Sequence, residues 1–107
     1  MNKEIKKIVK QISMILVTGI DARQVYVFGS YARNSASGDS DLDIFVVADL
    51  RGKKKIEITQ KARRLLLNKV FLPVDILVCD VKDFNNRKEN LSTFEYLIAT
   101  EGQKIYG

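Results

Sequence analysis

The chain contains no histidine, one cysteine and one proline in 107 residues. Without histidine there is no imidazole metal site, no Ser-His-Asp triad and no imidazole base, so carboxylates must carry any metal or proton chemistry. A lone Cys79 cannot close an internal disulfide, which fits a reducing, cytoplasmic setting. No apolar run approaches the roughly 18 residues that a membrane helix needs. The apolar residues near the amino terminus are periodic, unlike a signal peptide's continuous core, so neither leader nor membrane partner is expected. What is present is ordinary for a soluble globular protein: 46% hydrophobic and 29% charged residues. The length suits one domain, 1–107, with one core.

The net charge is +5, but its distribution argues against direct nucleic-acid binding. Lys3, Lys6, Lys7 and Lys10 share one face of the first expected helix. Arg51, Lys53, Lys54, Lys55, Lys61, Arg63 and Arg64 cluster in and before another. Solvated helix faces explain both groups, and a docking surface for an acidic partner is the sharper alternative.

Ile5, Ile8, Val9, Ile12, Ile15 and Leu16 recur at helical spacing, predicting a helix over 3–18 that stops at Gly19. Residues 21–24 read as a connection and 25–28 as a strand. A short helix is expected over 30–35, a turn over 37–39 and a strand over 42–48. A helix over about 55–70 precedes Pro73 and a third strand, 74–78. Residues 80–88 read as a charged loop with at most a helical turn. Ser92 and Glu95 have capping-box spacing, and Leu91 with Tyr96 has staple spacing, announcing a last helix that ends near Gly102. Phe94, Leu97 and Ile98 read as core, and Ile105-Tyr106 as an edge strand or a packed tail. The expected class is α/β (α+β): a small mixed sheet covered by helices, because the 30–40 segment is short for a parallel return.

The organising stretch runs from Gly29 to Val46. A strand ending at Gly29 and a helix opening at Ser30 leave backbone N–H groups facing a potential anion. Arg33, one helical turn on, adds a charge for phosphate. Asp41 and Asp43, about 7 Å apart along the next strand, point to one side. Asp75 interrupts an otherwise apolar strand, an expensive place for a carboxylate unless it is paired or metal-bound. If the strands adjoin, the three carboxylates converge, and oxygen donors alone select Mg2+ or Mn2+ over zinc. Two ions about 3.5–4 Å apart clamp both oxygens of a phosphoryl displacement. Asp39 reads as a turn residue, Ser40 as the residue that orients that turn, Tyr31 as an exposed position or a base-stacking ring, and Cys79 as a buried, inert thiol.

This stretch resembles the pattern of the DNA polymerase β-like nucleotidyltransferases. That pattern is Gly-Ser-x-Ala-Arg-Gly, a variable segment, then Ser-Asp-x-Asp-Leu-x-Val. Gly29, Ser30, Ala32, Arg33, Ser40, Asp41, Asp43 and Val46 fall on it in register. Asn34 stands where the pattern has glycine, and Ile44 where it has leucine. Asp75 matches the third family carboxylate, and the whole chain resembles the minimal nucleotidyltransferase (MNT) branch. The resemblance implies the family fold, ATP as substrate, two Mg2+ ions (or Mn2+) on Asp41, Asp43 and Asp75, and phosphates on Gly29, Ser30 and Arg33. It also implies an MNT antitoxin partnered in trans by a HEPN-domain toxin, acting by AMP transfer to a toxin tyrosine, with a homo-oligomer open. The alternatives are a small-molecule transferase of the aminoglycoside-modifying kind and an antitoxin that acts by contact alone.

Overall fold

A computed structural model describes residues 1–107. Helix α1 (Lys3–Ile20) starts at Asn2, whose side chain accepts from Ile5 N at 2.8 Å. Val9, Ile12 and Leu16 form its fully buried stripe. It outruns Gly19 and ends on Asp21 in the left-handed conformation. Gly19 serves contact instead: a Cβ there would run into the Leu65 side chain.

Strand β1 (Ala22–Phe28) leads into α2 (Gly29–Ala32), then β2 (Leu42–Ala48), α3 (Lys55–Leu66), β3 (Val74–Asp80), α4 (Val81–Arg87), α5 (Phe94–Glu101) and β4 (Gln103–Tyr106). The sheet order is β3-β2-β1-β4. β2 and β3 run parallel, and β1 is antiparallel to both β2 and β4, so the sheet is mixed as expected. α3 is the crossover that a parallel pair requires.

Several boundaries differ from the sequence reading. β1 begins at Ala22, because Ala22 pairs with Ala48 across a register shift before Gln24. α2 is a single turn, not a helix to residue 35: Asn34 takes φ 56° and turns the chain away. α3 stops at Leu66, and Asn68 at φ 64° follows in the left-handed region. Residues 81–87 are a true helix capped by Asp80. The last helix is capped by Thr93, whose Oγ1 accepts from Tyr96 N at 3.1 Å, while Ser92 bonds Asn90 and Leu91 stays exposed. The tail forms the edge strand β4.

Alternation along the strands sorts the core into two layers. Val25, Val27, Ile44, Val46, Ile76 and Val78 pack against α1 and α3. Tyr26, Phe45, Val47 and Cys79 face the other way, against Phe84 of α4 and Ile98 of α5. Each fully buried aliphatic contributes roughly 1.5–3 kcal/mol. The second layer is the thinner one, and the expectation that Phe94 and Leu97 are core fails there: they remain 40% and 43% exposed.

Candidate active site

The parallel register sets Asp43 directly beside Asp75. Adjacent strands lie about 4.8 Å apart and side chains at one register position share a face, so the two carboxylates emerge together on the thin side of the sheet. Asp41 precedes β2 in the same alternation and is exposed. The Asp43 carboxyl is pushed above the ordinary carboxylate value, by burial first, then by the charges of Asp75 and Asp41; Arg33 pulls the other way. These four groups therefore share one electrostatic neighbourhood. The carboxylates are not closed up around a single point, since no three acidic, histidine or cysteine side chains gather tightly enough to hold a metal ion as they stand. Like charges keep such a set apart.

Gly29 ties the turn to this group. Its φ is +72°, and a Cβ built on it would collide with the Asp43 carboxylate. Phe28, the residue before it, is the register partner of Asp43. The Ser30 carbonyl accepts from Ser35 N at 2.9 Å, while its hydroxyl has no partner within the chain. Arg33 follows at the end of α2. The chain's ion pairs are Arg23–Asp21, Arg51–Asp21 and Arg87–Glu95. None involves Arg33, Asp41, Asp43 or Asp75, although 18 cationic residues are available.

Ser40 orients the turn as expected, accepting from Ser37 N at 2.9 Å. Tyr31 is half-buried against the core instead of exposed. Cys79 is buried, and that burial pushes its thiol up to about 11, so it is inert at neutral pH. Sequence reasoning missed Phe94 as a site residue. Its ring lies 5.4 Å from Phe28 and 5.9 Å from Phe45. It borders two cavities, one of about 340 Å³ shared with Gly29 and Arg33, and one of about 410 Å³ along β3. The available signal was alternation: Phe28 and Phe45 fall on the Asp43 face, and a cover for them had to come from outside the sheet.

The family described as Polymerase beta, Nucleotidyltransferase matches residues 4–107. The chain belongs to this nucleotidyltransferase family. Among relatives of this nucleotidyltransferase, a candidate protein adenylyltransferase of Methanocaldococcus jannaschii is 31% identical over 84 residues, 78% of each chain. A solved candidate nucleotidyltransferase of Sulfolobus solfataricus superposes with TM-score 0.59 at 24% identity, over 78% of this chain and 73% of that one. A toxin–antitoxin structure with AMP-PNP gives 0.54 at 25% identity, over 99% and 74%. A mutant of the toxin–antitoxin MntA-HpeT gives 0.52 at 23%, over 91% and 71%. The solved folds agree with the mixed α/β architecture described above.

Proposed function

We propose that this nucleotidyltransferase is an antitoxin that transfers AMP from ATP to a tyrosine hydroxyl of a HEPN-domain toxin. The observation that carries the reading is the register of Asp43 beside Asp75 and against Gly29, within a set of polar groups that lack partners inside the chain. The adenylyltransferase relative supports AMP as the transferred group, and the AMP-PNP complex of a toxin–antitoxin pair supports ATP and a protein partner.

The donor set fits a hard divalent cation, because it offers only carboxylate oxygens and the Asp43 carboxyl is already raised by burial and then by its neighbours' charge. Asp41 and Asp43 would hold Mg2+ or Mn2+ ions, with Asp75 completing the set. Such ions, when bound, neutralise and polarise the phosphates of the nucleotide. Asp75 lies nearest the open edge of the sheet, where it takes the proton of the attacking hydroxyl. The hydroxyl oxygen bonds to the α-phosphorus and the bond to the pyrophosphate oxygen breaks. Ser30 and Arg33 hold the departing pyrophosphate by hydrogen bonds and charge.

Co-expression with a HEPN-domain toxin and intact-mass measurement tests this. The expected result is a toxin heavier by one or more AMP units, a shift abolished by Asp41→Asn. A toxin of unshifted mass, neutralised equally by that variant, would establish the contact-only antitoxin. Transfer to an aminoglycoside with none to protein would establish the small-molecule enzyme.

A further inference from the structure

Helix α5 lays one face along the turn that carries Gly29. Phe94, Leu97, Ile98 and Glu101 stand at i, i+3, i+4 and i+7, so they share a side of the helix. With Ala32 and Arg33 opposite, they line the cavity of about 340 Å³ that reaches Gly29. That volume falls in the range of roughly 300–1,000 Å³ common to small-molecule sites. Ile98 is fully buried in it, whereas Phe94 and Leu97 remain exposed.

The walls are in place before anything binds. The side-chain amide of Gln103, just past α5, donates to the Ala32 carbonyl at 2.7 Å and ties β4 to the end of α2. The Phe94 ring is held edge-to-face by Phe28 and at a tilt by Phe45. Phe28 is the register partner of Asp43. Phe45 follows Asp43 by two residues, on the same face and about 7 Å along the strand. The ring is thus anchored next to the carboxylate and still keeps open surface.

The charges on the cavity give it a polarity. Arg33 and Glu101 both border it, and neither takes part in an ion pair. A guanidinium attracts a polyphosphate and a carboxylate repels one. Phosphates therefore keep to the Arg33 side, and the uncharged end of the same molecule lies along Phe94 and Leu97.

We propose that this cavity receives the base of the nucleotide, stacked on Phe94 and flanked by Leu97. The α-phosphate then lies over Asp43, and the β- and γ-phosphates turn back to Ser30 and Arg33. Aromatic side chains hold bases in this way because every base has a π-face. Phe94 becomes a binding residue that fixes the nucleotide without touching a phosphate. The proposal deepens the transfer reading and rests on it for the identity of the ligand as ATP.

The chain contains no tryptophan, so Phe94→Trp places a sole indole at the stacking position. Titrating ATP with Mg2+ into this variant should quench the indole fluorescence. Inorganic tripolyphosphate with Mg2+ should bind and leave the fluorescence unchanged. By isothermal titration, Phe94→Ala should weaken ATP about tenfold, the loss expected when one stacked base is released. Its affinity for tripolyphosphate should match the wild type's, and Phe94→Trp should keep the wild-type affinity for both ligands. Should Phe94→Ala fail to fold, Phe94→Leu keeps an apolar side chain against Phe28 and Phe45 and carries the same comparison. Undiminished ATP binding in these variants, an equal loss of both ligands, or equal quenching by both would overturn the inference and leave the transfer reading standing. A wild type that binds neither ligand would overturn the transfer reading itself, and the base pocket with it.

Discussion

Gly29 holds its place for two physical reasons at once. Its backbone is left-handed, and the volume a methyl would occupy belongs to the Asp43 carboxylate. Gly29→Ala should cost about 1–2 kcal/mol from backbone geometry alone. It should also displace Asp43, so transfer should fall by more than about a hundredfold, beyond the roughly 10–100-fold cost of disturbing a metal's outer partners. A thermal melt beside a labelled-ATP assay checks both; full activity in a merely destabilised protein would show that Asp43 has another resting place. Asn34 makes the complementary case. It adopts φ 56° where the family pattern has glycine, and its short polar side chain tolerates that region. The substitution that looked like a departure in sequence leaves the turn intact.

Among the elements, those with strong periodicity were legible: α1, the heart of each strand and the crossover helix all follow from apolar spacing. The grouping of Gly29, Asp43 and Asp75 was legible too, because the Gly29–Val46 stretch and the Asp75 strand each carry a local anomaly, a glycine turn or a charge among aliphatics. What stayed hidden depends on partners distant in sequence. The start of β1 is fixed by Ala48, and the exposure of Phe94 by how little covers α5. The clearest miss is α4, where a charged loop was expected. Asp80 makes that helix: its carboxylate accepts from Lys82 N and also from Leu50 N, both at 3.1 Å, joining the end of β3 to the loop after β2. The backbone bond from Leu50, ahead of that from Lys82, holds its carboxyl below the ordinary value. A lowered folded value means that the stabilisation is present above the unfolded carboxylate range and disappears as pH falls through the folded value. Asp80→Ala should therefore melt below the wild type at neutral pH, with the gap closing in acid. A gap that is constant with pH would assign the loss to packing instead.

Taken whole, the molecule keeps three carboxylates on the thin side of its sheet, and its own fold would be better without the charge of Asp43. Asp43 is the measure of this, since burial and two like charges raise its folded value. A raised value means that stability declines as pH climbs from the ordinary carboxylate value through the folded one, and the penalty persists at neutral pH. Asp43→Asn should accordingly melt higher than the wild type at pH 7 in EDTA, with the advantage shrinking in acid as the wild-type carboxylate takes up its proton. Nucleotide and metal should reverse the order. A ligand at a hundredfold excess over its Kd adds about 2.7 kcal/mol, worth roughly 10 °C for a chain of this size. ATP with Mg2+ should deliver that shift to the wild type, ATP in EDTA much less, and Asp43→Asn the least of all. The two proteins should thus exchange rank between the ligand-free and ligand-bound melts. That crossing is the thermodynamic mark of groups kept for function at the expense of stability. Parallel curves, with the variant gaining as much from ATP and Mg2+ as the wild type, would remove Asp43 from the nucleotide site.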